Sequence, residues 1–188
     1  MSTIDEQRGI MNLVQAREIF ERDVLATKSD CVLVEDATLE FPRCFVFGYQ
    51  SKKFFETGDI ADSLVGHGTV LISREDGRVF ETGSAFSTAH YVKAFEACGD
   101  PYGQPTNEVK ILGWNAAARK VSAVELVKAK SGMGLADSKA AIDSLFSVGK
   151  SFFTAWTVED AEAAVVKLKE FGFESVQLWS NGGVRDFV

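Results

Sequence analysis

The stretch KVSAVELVKAKSGMGLADSKAAIDSL, residues 120–145, decides how the second half of the chain is read. Ala123, Leu126 and Val127 form an apolar stripe at spacings of three and four, and Ala141, Ile142 and Leu145 form another. That periodicity predicts two helices separated by a glycine-rich turn. Gly132 is placed to adopt the left-handed conformation that ends a helix, and Gly134 to let the second helix approach the first. Val121 and Val124 share a face with Glu125 and Lys128 that the core stripe does not use, which makes that face a candidate docking surface.

Working outward, Val109 to Trp114 reads as a strand before the helix pair, and Ser151 to Trp156 as a strand after it. A third helix begins at Thr157, with Asp160 three residues on, and buries Ala161, Ala164, Val165 and Leu168 before Gly172 ends it. A closing strand lies near Ser175 to Trp179. The order β-α-α-β-α-β predicts a three-stranded antiparallel sheet with helices on one side.

In this region the sequence resembles the C-terminal domain of the bacterial ribosomal stalk protein. The resemblance is carried by Lys120, Val121, Gly132-Met133-Gly134-Leu135, Lys139, the run Glu159-Asp160-Ala161-Glu162-Ala163, and Leu168, and spans residues 107–179. It implies a surface that captures translation factors, at positions matching Val121, Val124, Glu125, Lys128 and Lys139. Glu125 departs from the family, which has lysine there. A reversed charge repels the acidic factors that such a surface recruits. The flexible hinge and dimerisation helices of the stalk protein have no counterpart before Asn107.

Charge and cysteine use divide the chain. Residues 1–100 hold ten Lys and Arg against seventeen Asp and Glu, a net −7, whereas residues 101–188 hold ten of each. Cys31, Cys44 and Cys98 lie in the first half and all three tryptophans in the second. Asp100 to Thr106 carries two of the three prolines, so the expected organisation is a domain over 1–100, a linker over 101–106 and a domain over 107–188. An acidic half disfavours direct nucleic-acid binding, which needs clustered Lys and Arg, and suits a basic protein partner. An odd number of cysteines without CxxC spacing fits a reducing compartment, and the polar MSTIDEQRG start lacks the pattern of a secretory signal. A cytoplasmic protein, away from membranes, is the expectation.

In the first half, residues 1–9 read as an arm. Asn12 and Gln15 form a capping box for a helix that buries Ala16, Ile19, Phe20 and Val24 and ends near Thr27. Cys31 to Val34 and Cys44 to Gln50 read as paired strands. Thr69 to Ser73 and Arg78 to Thr82 form a hairpin around Glu75-Asp76-Gly77, and a helix capped by Ser87 runs to Gly99. The expectation is α+β, with helix, antiparallel sheet and helix in that order, the helices on one face.

This half resembles the YrhB-type immunity family, small proteins that neutralise polymorphic toxins. The resemblance rests on residues 32–38 (VLVEDAT), 45–51 (FVFGYQS), Glu56-Thr57-Gly58-Asp59, Leu64-Val65-Gly66 and Asp76-Gly77. Phe45 stands where that family places tryptophan.

Catalysis is poorly represented. His67 and His90 have no Cys or carboxylate at metal-ligand spacing, and Gly66-His67-Gly68 precedes a strand instead of opening a helix, so no metal, cofactor or phosphate site is expected. Cys31 and Cys44 sit among apolar neighbours as inert thiols. Glu35, Asp36, Glu56 and Asp59 are either a solvated face or a surface for a basic toxin, in which complementary charge speeds encounter. The function expected is a non-enzymatic immunity protein that binds a cognate toxin. The alternative is a translation-associated protein whose stalk-like domain contacts the ribosome or its factors.

Overall fold

The computed structural model describes residues 11–181, so the expected arm over residues 1–9 and almost all of the tail beyond Asn181 lie outside the described residues. The chain divides into two compact units, the first ending at Tyr102 and the second beginning at Gly103. Each is α+β.

The first unit opens with α1, Leu13–Asp23, whose capping box is present: the Asn12 side chain accepts from the Gln15 N–H, and the Gln15 side chain from the Asn12 N–H. A four-stranded antiparallel sheet follows in the order β1-β2-β3-β4, from β1 (Cys31–Glu40), β2 (Cys44–Ser51), β3 (His67–Ser73) and β4 (Val79–Gly83). A short helix, α2 (Lys52–Thr57), capped by Ser51, lies between β2 and β3, and α3 (Thr88–Cys98), capped by Ser87, closes the unit.

The helices do not share one face of this sheet, as had been expected. Phe45, Phe47 and Tyr49 of β2, with Val70 and Ile72 of β3, pack on Ala16 and Phe20 of α1 and on Val24, its C-cap. Cys44, Val46 and Leu71 point the other way, onto Tyr91, Val92 and Phe95 of α3. Successive residues of a strand face opposite sides, so a central strand apolar at every position is one covered on both. Phe45 is fully buried, with the Arg74 guanidinium 3.8 Å from its ring centroid, so this aromatic fills its core position without a tryptophan.

The second unit has the expected order: β5 (Gln104–Trp114), α4 (Lys120–Ser131), α5 (Leu135–Val148), β6 (Ser151–Thr154), α6 (Val158–Glu170) and β7 (Phe173–Ser180). The sheet is antiparallel, with β5 between β6 and β7. A single core joins Val109, Ile111, Phe153 and Phe173 to Ala123, Val127, Ile142, Leu145, Ala164 and Leu168. β5 begins five residues before the expected Val109, with Gln104 opposite Ser180 and Pro105 opposite Trp179. Half of the stretch read as a linker, residues 104–106, is therefore strand.

Candidate functional site

The four acidic candidates of the first unit occupy two segments. Glu35 and Asp36 lie where β1 bulges away from its partner: Val34 pairs with Gly48, but the next pair is Leu39 with Val46. Glu56 is in α2, and Asp59 follows it. Two of the four are already engaged. Glu35 receives the Arg17 guanidinium in a two-pronged ion pair, with Nη1 to Oε1 at 2.7 Å, and that hydrogen bond holds its carboxyl below the usual range. Asp59 caps the 3-10 turn Ile60–Asp62 by accepting from the Ala61 N–H at 2.9 Å. Asp36 and Glu56 are exposed and form no ion pair among the described residues.

Between these two segments opens a cleft of about 620 Å³, lined by Val34 and Ala37 of the bulge, Phe54 and Phe55 of α2, and residues of β2, β3, β4 and the start of α3. Two irregularities of the sheet border it. The β1 bulge folds over Gly48 so closely that a Cβ there would stand 2.6 Å from the Ala37 methyl. A second bulge offsets β3 from β4 between His67 and Val70, where a Cβ on Gly68 would meet the Gly83 carbonyl at 2.4 Å. Bulges of this kind re-aim side chains and are over-represented beside functional sites. The sequence reading found the acidic pair but not the cleft, because the cleft forms only when strands far apart in the chain are paired.

On the stalk-like face, the structure separates the candidates. Val121 is 73% exposed, and Glu125, Lys128 and Lys139 are also on the surface. Val124 is 8% exposed and belongs to the core, so it cannot be part of a docking row. It lies one position from Ala123 and three from Val127, which places it on the edge of the buried stripe. Gly132 is left-handed at φ +68°, as expected. The close approach in this turn is at Gly132, over which the Trp156 ring lies so closely that a Cβ would stand 2.0 Å from Cζ2, and not the helix-to-helix approach expected at Gly134. Gly134 caps α5 with φ −62°, and a Cβ there would meet nothing nearer than 3.6 Å. Trp156, 66% exposed, was missed as a surface residue of this turn, since nothing local in the sequence links it to Gly132.

Other chemistry is sparse. Among the described residues no group of three His, Cys, Asp or Glu is placed to hold a metal ion. Cys44 is buried, which pushes its thiol up to about 12, and burial also raises that of Cys98. Cys31 is only half-buried, less than expected. The His67 ring lies over Tyr49 at 4.8 Å, with Nε2 at 2.9 Å from the Tyr49 carbonyl, an inter-strand contact. No described helix is long and apolar enough to cross a membrane.

Comparison with known proteins bears on the first unit. No curated protein and no solved structure matches the chain. The resemblance of residues 107–179 to the stalk domain finds no support there. Residues 14–94, from α1 into α3 and including both bulges and the cleft between them, match the family model described as Immunity protein 35, an immunity family and as such non-enzymatic.

Proposed function

We propose that this chain is a cytoplasmic immunity protein that binds a cognate toxin through its first unit. The carrying observation is the match of residues 14–94 to Immunity protein 35, since immunity proteins bind cognate toxins. The charge supports it: the whole net −7 falls in residues 1–100, and Asp36 and Glu56 are exposed and without an ion pair among the described residues. Such a field attracts a basic partner and acts over about 8 Å at physiological ionic strength. The test is expression of the full chain with the basic toxin domain encoded beside it. Growth should be restored and a stable complex recovered. Asp36→Lys with Glu56→Lys should slow association, and salt should slow association far more than it speeds dissociation. Failure to restore growth, or a salt-independent on-rate, sinks the proposal.

A second reading, a translation-associated role for the second unit, is supported by the β-α-α-β-α-β order and by the exposure of Val121, Lys128 and Lys139. Burial of Val124 and the reversed charge of Glu125 weigh against it. Wild type should show no binding to an elongation factor, and Glu125→Lys should restore some. Tight wild-type binding would promote this reading over the first.

A further inference from the structure

We infer that the cleft of the first unit is an anchor pocket for an arginine side chain presented by a basic protein partner. The inference rests on the immunity reading and names what the surface would grip.

The pocket is built at a cost that the sheet itself does not require. Two bulges interrupt its ladder, and two glycines, Gly48 and Gly68, sit where no Cβ fits. Ordinary edge-to-edge pairing would need neither. Its rim keeps two aromatic rings in water, Phe55 at 57% and Phe86 at 48% exposure, while Tyr49 and Tyr91 form deeper wall. Large aromatic groups left half-exposed around a concavity mark binding surfaces.

Charge selects the guest. No Lys, Arg, Asp or Glu side chain lines the cleft, so no lysine or arginine is there to hold a phosphate or a carboxylate. The two uncommitted acids flank it in sequence: Asp36 lies between the lining residues Val34 and Ala37, and Glu56 follows the lining residue Phe55. Arg17 is paired with Glu35 and Lys53 with Asp62, and Lys52 donates to the Ser29 carbonyl. Asp36 and Glu56 have no ion-pair partner among the described residues and adjoin the lining segments, in a half of the chain that carries the whole net −7, so a cationic guest is favoured.

The walls favour arginine over lysine. A guanidinium is planar and weakly hydrated, and it stacks on aromatic faces; an ammonium is compact and strongly hydrated, so it loses more on leaving water. The hydroxyls of Thr69, Ser84 and Thr88 also line the cleft, and a guanidinium offers five donors to such acceptors.

The test has two arms on the full chain. In the first, the amide spectrum is followed by NMR while N-acetyl-arginine amide is added, and again with N-acetyl-citrulline amide, which has the same shape without the charge. Arginine should move the amides of Gly48, Gly68, Thr69 and Gly83 saturably, citrulline about tenfold less tightly, and Asp36→Asn with Glu56→Gln should abolish the difference. No movement at the cleft, or equal response to both probes, overturns the inference whatever the toxin does. In the second arm, Phe55→Ala and Phe86→Ala, shown folded by the same spectra, are measured against the toxin domain. Each should weaken binding about tenfold or more, mainly by faster dissociation. Full toxin binding by both variants overturns the anchor while leaving the immunity reading intact. A cleft that selects arginine in a chain that protects against no toxin leaves the pocket standing and removes the immunity reading.

Discussion

At the scale of single residues, the turn at Gly132 shows what a sequence carries and what it does not. A glycine after the last periodic residue of a helix announces a left-handed C-cap, and Gly132 has φ +68°. That Trp156 lies on the same glycine is a contact across twenty-four positions, beyond the reach of any local pattern. Val124 is a related case, because its place on a helical wheel leaves it at the margin between core and surface and only the packing of the neighbouring elements decides it. The two glycines of the turn can be told apart by experiment. Gly132→Ala forces a Cβ into a left-handed backbone, at about 1–2 kcal/mol, and expels the Trp156 ring as well, so a total of roughly 3 kcal/mol is expected. Gly134→Ala loses only a favourable N-cap residue, about 0.5 kcal/mol. Thermal unfolding should show the first melting well below wild type and the second close to it; a Gly132→Ala loss no larger than the about 1–2 kcal/mol of left-handed strain would mean that the contact over Gly132 contributes nothing.

At the scale of elements, caps were legible wherever the capping atoms sit within three residues of each other, as with Asn12 and Gln15, Ser87 at the start of α3 and Thr157 at the start of α6. α2 went unread, although Ser51 and Gly58 bracket it in the same way, because six residues are too few to display a period. The continuation of β1 from Glu35 to Glu40 was also missed. A bulge breaks the alternation that identifies a strand, and its pairing is supplied by β2. Helix α6 is joined to α4 by Lys130 and Asp160, Nζ to Oδ1 at 2.6 Å, and the hydrogen bond from Lys130 holds the Asp160 carboxyl below the usual carboxylate range. A carboxylate whose folded-state pKa is depressed stabilises the fold above its unfolded pKa, and the contribution is lost as pH falls through the folded value. Asp160→Asn should therefore lower the melting temperature at pH 7, and the gap to wild type should close as the pH is taken down to about 2. A gap that stays constant over that range would show that the charge of Asp160 is not what joins these helices.

At the scale of the whole molecule, the order of elements in the second unit was readable because each helix carries its own periodicity and each turn its own glycine, and β-α-α-β-α-β follows from reading them in turn. The placement of helices on the first sheet was not, since α1 and α3 could have shared a face until β2 was seen to be apolar on both sides. The boundary between units illustrates the same difference. Two prolines suggested a linker, yet Pro105 sits in β5 opposite Trp179, and the Thr106 hydroxyl donates to the Leu178 carbonyl at 2.9 Å. Each unit has its own core, which is the condition for folding alone. A fragment of residues 103–188 should accordingly melt in one cooperative transition. A fragment of residues 107–188 omits the strand residues that face Trp179 and Ser180, and it should melt at a lower temperature with the final turn of β7 frayed in hydrogen exchange. If both fragments melt alike, residues 104–106 contribute nothing to the sheet and the segment acts as the linker that its prolines suggest. If 103–188 is unfolded while the full chain is stable, the second core depends on the first and the two are not separable.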